Sequence, residues 1–314
     1  MVGVVILNYN NWDITYKCLD SLLSSYQKNR YLIYLIDNNS SIEMSDKVKI
    51  IIENRKDKIN FLRNTENKGY SAGNNLGIKQ ALDDQCDYIL VSNNDIFFKK
   101  NVIDELVEAF MIDDSIGIVA PLLLDINGLE QNISMCMRTN YSDKLIYRTP
   151  LRHFFSKKKL LNYYIYPPYL DKYYKVHAAS GACFMVSRRC ALDITPLDEN
   201  TFLYEEELII GVVMENKCYQ TIILPLTKVV HAEGQTTKLV KAFSYIEFVK
   251  SEIYYCRIYL NVGRVRVFIL FFIRFISYVF RCLKSRDYRK YFNVFFRDSM
   301  KKILSRKKNL GGIK

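Results

Sequence analysis

The chain has 314 residues, 49% of them hydrophobic and 25% charged, with a formal net charge of +12. That balance is apolar enough to bury one large core plus an appendage, and it excludes a disordered or collagenous chain. Eight cysteines with no Cys-X-X-Cys spacing exclude a disulfide framework, and Cys18, Cys86, Cys183 and Cys190 stand in apolar contexts that predict buried free thiols in a reducing compartment.

Residues 2–7 form an uninterrupted apolar run, predicted as a buried parallel strand, that ends in Asn8-Tyr9-Asn10. An amphipathic segment over 13–25 and a second strand over 32–36, closed by Asp37-Asn38-Asn39-Ser40, complete a βαβ unit. A short strand at 59–62 leads into Asn67-Lys68-Gly69-Tyr70-Ser71-Ala72-Gly73-Asn74-Asn75, which opens a helix running to about residue 83. Its glycines let the backbone approach a ligand and its helix N-terminus favours an anion, although the spacing is neither a Walker loop nor a dinucleotide fingerprint. A fourth strand over 88–92 delivers Asn93-Asn94-Asp95. This alternation predicts an α/β fold: a Rossmann-like, mostly parallel sheet with flanking helices, whose strand ends collect polar side chains at one edge. Taken singly, each residue has an ordinary role, Asp37 as a helix cap and 93–95 as a turn.

Further on, Phe202-Leu203-Tyr204 precedes Glu205-Glu206-Glu207, which is followed by a predicted helix, an apolar strand at 228–230 and His231. Three adjacent carboxylates are either the solvated N-terminus of a helix or a site that uses a proton, a cation or a substrate hydroxyl. His231 is either a satisfied surface histidine or a metal ligand.

Together these motifs, with Ser180-Gly181-Ala182-Cys183-Phe184-Met185-Val186, resemble the inverting family-two glycosyltransferases of GT-A fold over about residues 1–240, and within them the bacterial rhamnosyltransferase-like enzymes of surface polysaccharide synthesis. The resemblance implies a nucleotide-sugar donor, dTDP-rhamnose or a UDP-hexose, lying across the strand ends. Asn8 and Tyr9 would lie beside the nucleotide, Asp37 would accept from the base, and Asn67, Gly69, Gly73, Asn74, Asn93 and Asn94 would complete the donor site. Asp95 matches the last acid of the family's Asp-X-Asp signature and His231 its second ligand position, for Mn²⁺ or Mg²⁺. The chain departs from the signature in having Asn93 where its first acid stands. Aligning the Glu run with the family's acidic pair puts the catalytic base at Glu207, with Glu206 the alternative one residue away, and Gly181 on the acceptor side. The implied acceptor is a lipid-linked O-antigen, capsule or other surface-polysaccharide intermediate. An inactive nucleotide-binding scaffold is the alternative that the asparagines in the metal signature suggest.

The expected organisation is a glycosyltransferase domain over 1–240, with a nucleotide-sugar half over 1–125 and an acceptor and catalytic half over 126–240, followed by a membrane-association segment over 241–314. The irregular stretch 125–179 carries Arg148, Arg152 and Lys157-Lys158-Lys159, which could meet a pyrophosphate or form a solvated face. Residues 257–314 hold 16 Lys and Arg against 2 acids, net +14, which leaves −2 for residues 1–256. Arginines interrupt the apolar run 262–283, which argues against a spanning helix. On a helical wheel Arg266, Arg274, Ser277, Arg281 and Lys284 share an arc of roughly 80°, predicting a helix in the interface of an anionic membrane with its cations against headgroups, or else a helix packed on the domain. No nucleic-acid module accompanies the basic tail, so no nucleic-acid partner is expected. With no signal peptide ahead of the first strand, the expected place is the cytoplasmic face of the inner membrane, held peripherally.

Overall fold

The computed structural model describes residues 1–131, 135–147, 172–232 and 241–305. Arg148, Arg152 and Lys157 to Lys159 lie outside the described residues.

In chain order the elements are β1 (Val2–Asn8), α1 (Trp12–Ser24), β2 (Tyr31–Asp37), α2 (Asp46–Asn54), β3 (Ile59–Arg63), α3 (Tyr70–Asp83), β4 (Tyr88–Asn93), β5 (Ile96–Phe97), α4 (Val102–Ala109) and β6 (Ile116–Leu124). They continue as β7 (Met135–Cys136), α5 (Tyr141–Tyr147), β8 (Tyr174–Val176), β9 (Ala178–Ala179), β10 (Cys183–Ser187), α6 (Arg188–Ile194), α7 (Glu206–Asn216) and β11 (Gln220–His231). The C-terminal helices are α8 (Lys241–Ile258), α9 (Arg264–Lys284), α10 (Arg286–Lys290) and α11 (Phe292–Leu304).

A nine-stranded sheet runs in the order β3-β2-β1-β4-β10-β6-β11-β5, with β8 on β11. The β1–β4 half is parallel, as its continuous apolar strands require when helices cover both faces. Alternate residues of β1 divide the core: Val4 and Ile6 pack with Trp12, Leu19 and Leu22, while Val5 packs with Ile78, Ala81 and Tyr34. The strand β10 runs antiparallel to both β4 and β6, so its N-terminal end, next to Gly181, comes to the edge where β4 ends.

Two differences from the sequence expectation shape the site. The strand expected only at 228–230 is twelve residues long, because Pro225 falls inside a register shift between Leu224 and Lys228 that spares the missing N–H a ladder partner. The two-residue β5 pairs antiparallel with its end, His231 opposite Ile96, which carries His231 next to Asp95.

The C-terminal helices build a cluster of their own, in which Val249, Val267, Leu270, Tyr278 and Phe295 are buried and Tyr141, Leu145 and Tyr204 pack against it. Tyr254 and Tyr255 of α8 pack with Ile209 and Val212 of α7. Here the expected orientation of the basic helix needs correcting. Arg274 is only 1% exposed, its Nε and Nη2 donating to Glu252 at 2.7 and 2.8 Å, and Arg281 stacks over Tyr245. The arc through Arg274, Ser277 and Arg281 therefore meets α8 rather than headgroups, because a buried carboxylate on the neighbouring helix needs a cation. A second apolar side of α9, with Val265, Ile269, Phe272 and Leu283, faces outward. Among the described residues no helix is long and apolar enough to cross a membrane.

Candidate active site

The expected residues gather at the carboxyl edge of the sheet. At the tip of β2, Asp37 is 1% exposed. Its Oδ1 accepts from the Ser40 amide at 3.0 Å, and its Oδ2 lies 3.3 Å from Arg63 Nε with no hydrogen bond made to it. A buried carboxylate oxygen left in this way is suited to an N–H donor from a ligand. Tyr9 stands at the rim, 38% exposed.

Asn8 and Asn94 do something different. Asn8 Oδ1 accepts from Thr15 Oγ1 at 2.9 Å and Asn94 Nδ2 at 3.1 Å, while Asn8 Nδ2 donates to Ser40 Oγ at 3.2 Å. Asn94 Nδ2 also donates to Thr15 Oγ1 at 2.8 Å. Both amides are spent bracing the strand tips against α1, and a carboxylate at 94 could not donate in this network. Asn93 is half-buried, its backbone amide bonded to Ala182 O at 2.9 Å, which ties β4 to the stretch beside Gly181.

The glycine loop is joined to the acidic loop. Asn67 Oδ1 accepts from Asn38 Nδ2 and from the Gly69 amide, and Gly69 takes φ +100°. A Cβ at Gly69 would lie 2.2 Å from Phe202 O, and the Tyr70 amide donates to that same oxygen at 3.0 Å. Gly73 lets α3 close on Leu7 and Asn38, and Asn74 is fully buried with its Nδ2 on Tyr70 O and its Oδ1 unsatisfied.

Asp95 and His231 form the first acidic centre. A buried Asp95 Oδ1 that no hydrogen bond satisfies lies 3.3 Å from His231 Nε2. His231 Nδ1 is 2.8 Å from Gln131 Oε1, and Gln131 Nε2 donates to His231 O at 2.9 Å. That pairing assigns the ring proton to Nδ1 and presents the Nε2 lone pair to Asp95, the arrangement in which an outer carbonyl orients a metal-ligating histidine. An orphaned carboxylate oxygen beside an imidazole lone pair fits a divalent cation. Among the described residues no cluster of three or more His, Cys, Asp or Glu side chains forms, so Asp95 and His231 are the side chains here that could hold such a cation.

The Glu run is the second centre, and its three members occupy three environments. Tyr204 and Glu205 both take left-handed backbone, φ 73° and 71°, a costly conformation held by surrounding contacts. Glu205 is buried and ion-paired with Lys144 of α5, Tyr204 packs edge-on to Phe248, and Ser251 Oγ of α8 donates to Leu203 O. Glu206 is 5% exposed with Oε1 unsatisfied; burial first, then the charges of Glu207 and Glu205, pushes its carboxyl well above the usual range. Glu207 is half-buried, and its Oε1 accepts from the Gly181 amide at 3.3 Å. A Cβ at Gly181 would meet Tyr70 Oη at 3.1 Å and Glu207 Oε1 at 3.2 Å. Tyr70 Oη donates to Gly181 O at 2.5 Å, and burial, then Glu207 and Glu206, raises its pKa well above that of an ordinary tyrosine. Of the residues outside the sequence expectation, Tyr70 stood inside a motif that could have marked it. Arg63, Gln131 and Lys144 had no signal, since each matters only through a partner far away in the chain.

A cavity of about 320 Å³, lined by Lys175, His177 and Tyr219 among others, opens by the start of β11 and shares none of these residues.

Residues 3–194 match the family described as Glycosyl transferase family 2. A curated relative is the low-salt glycan biosynthesis hexosyltransferase Agl10 of Haloferax volcanii, 28% identical over 208 residues, which are 66% of this chain and 59% of that protein. Among solved structures, GalNAc-T7 with UDP, GalNAc and Mn²⁺ superposes with a TM-score of 0.59 at 16% identity, covering 82% of this chain and 48% of that one. The mannosyltransferase PcManGT of Pyrobaculum calidifontis, in complex with GDP-Man and Mn²⁺, superposes at 0.56 and 11% identity, covering 96% and 87%. At these identities the superpositions establish the shared GT-A fold. The chain thus spans about half to three-fifths of the length of the curated relative and of GalNAc-T7.

Proposed function

The chain belongs to Glycosyl transferase family 2, and from that premise we propose that it moves a hexose from a nucleoside-diphosphate donor to a lipid-linked glycan acceptor, inverting the anomeric centre. The observation that carries this is the convergence of two acidic centres, Asp95 with His231 and Glu207 with Gly181, on the edge that β4 and the antiparallel β10 share.

In this reading Asp37 accepts from the nucleobase while Tyr9 covers it, and Asn67, Gly69 and Gly73 shape the loop against the donor. Asn8, Asn74, Asn93 and Asn94 set that surface from behind. Asp95 and His231 would hold Mn²⁺ or Mg²⁺, which when bound would supply positive charge against the departing diphosphate. Glu207 takes the proton from the acceptor hydroxyl as its oxygen attacks the anomeric carbon opposite the leaving group. Glu207 is preferred to Glu206 because its carboxylate is reachable, whereas Glu206 is buried and biased toward its protonated form. The acceptor approaches beside Gly181. Residues 1–125 form the donor half, 126–240 the acceptor half and 241–314 the segment that holds the enzyme peripherally at the cytoplasmic face of the membrane. The donor is dTDP-rhamnose or a UDP-hexose, and the product a surface polysaccharide such as O-antigen or capsule.

The test is a thermal-shift panel of UDP, dTDP, GDP and CDP, each with and without Mn²⁺ or Mg²⁺, since a ligand of the folded state raises apparent stability. One nucleotide is expected to give a metal-dependent rise, lost in Asp95→Asn. No rise from any nucleotide in folded protein overturns the donor site.

A further inference from the structure

The helix α9 is apolar on two opposite sides. One side is buried on α8 and α11 through Val267, Leu270, Phe271 and Tyr278, and it includes the paired Arg274. The opposite side presents Val265, Ile269, Phe272, Ile276, Val279 and Leu283, all exposed, with Phe272 at 52% and Leu283 at 74%. Their spacing of four, three, four, three, four places them on one row at ~100° per residue, along a helix roughly 30 Å long. An uncovered row of this length on a folded protein marks a surface that another phase or molecule covers.

We propose that this row is the face by which the protein lies on an anionic lipid bilayer, with α9 parallel to the surface and its outer side chains in the acyl boundary. The charges at its ends argue for lipid against a second copy of the chain. Arg264 and Arg266 are exposed at one end, and Lys284, Arg286 and Arg289 at the other. The neighbouring acid, Asp287, is engaged by the Ala242 amide. Two copies of α9 paired in either direction would set these cations against cations, whereas phosphate headgroups meet every one of them. Orientation follows from the fold: Arg274 and Arg281, in the middle of the arc, face the protein, and the lipid sees the apolar row with cations at its two ends. This surface deepens the proposed reading, since a bilayer contact explains access to a lipid-linked acceptor, but it stands on the row and the charges alone.

The experiment is flotation of the full chain with phosphatidylcholine vesicles with and without phosphatidylglycerol. The wild type is expected to float with the anionic vesicles, and Phe272→Asp/Leu283→Asp to reduce that partition about tenfold or more. Leu283→Ser, with unchanged circular dichroism and melting temperature, guards against a folding defect and is expected to weaken binding in the same direction. Undiminished binding by both folded variants overturns the proposal, as does equal or absent binding of the wild type to both vesicle types. Sedimentation velocity showing a dimer that the variants dissolve, with no vesicle binding, identifies a second copy as the occupant and also overturns it. Nucleotide thermal shifts measured on the same samples separate the two readings: shifts retained without flotation defeat the membrane face alone, and flotation without shifts defeats the donor site alone.

Discussion

The sheet edge and the C-terminal helices solve opposite problems with the same physics. At the edge the surroundings are buried and the exceptions are polar: Asp37 Oδ2, Asn74 Oδ1, Asp95 Oδ1 and Glu206 Oε1 lie out of water without hydrogen bonds. In α9 the surroundings are solvent and the exceptions are apolar, while the arginine that would ordinarily face water is sealed against Glu252. A polar atom without a donor and an apolar row without a cover are each unfavourable alone. Both regions are incomplete in complementary ways, one presenting buried polar atoms without hydrogen bonds and the other an uncovered apolar row.

The largest expected effect sharpens the first half of that comparison. If the partly reachable carboxylate is the base, Glu207→Gln lowers sugar transfer by about 10²- to 10⁴-fold, while the nucleotide-induced melting shift remains. Full transfer by Glu207→Gln, or a comparable loss in Glu206→Gln alone, moves the role away from Glu207.

The second half is tested through the buried cation. Arg274 bridges both Glu252 oxygens and donates from Nη2 to Lys144 O at 2.7 Å, so it links α8, α9 and α5. Arg274→Met leaves the Glu252 carboxylate uncompensated and is expected to cost about 3–5 kcal/mol of stability, read from urea unfolding, while Arg274→Met/Glu252→Leu regains most of it. A single-variant loss below about 1 kcal/mol would mean that the pair does not hold the helix inward, and the orientation of α9 would lose this cause.

These residues also show what a chain discloses in advance. The strands β1 to β4 were legible because continuous apolar runs ending in Asn and Asp leave few other assignments. Asn8, Asp37 and the Gly69 loop appeared at the expected edge for the same reason. The apolar arc of α9 was legible as an arc, but its direction was not. Periodicity reports that one side differs from the other, and which side turns inward depends on partners elsewhere in the chain, such as Glu252 on α8. Two-residue β5 has no period to detect, and Pro225 disguises the continuity of β11, so the contact of His231 with Asp95 could not be seen from spacing. Gln131 and Lys144 come from stretches without pattern and acquire meaning only through His231 and Glu205.

The smallest expected effect separates Glu206 from its neighbours by pH. Burial and the adjacent carboxylates raise its folded-state pKa well above the ordinary carboxylate value. A carboxyl raised in this way holds its proton more tightly folded than unfolded, so its contribution disfavours folding as pH climbs above the unfolded pKa of about 4.3 and does not act below it. Glu206→Gln removes a titration that the fold opposes. The variant is therefore expected to melt above the wild type near neutral pH, with the difference closing as pH falls below about 4.3. Glu205 offers the contrast within the same run, because its charge is met by Lys144 and neutralising it removes a partner rather than a penalty. A Glu206→Gln variant that melts below the wild type at neutral pH would show that this carboxylate is ionised and held by a ligand or cation, and would return it to the chemistry alongside Glu207.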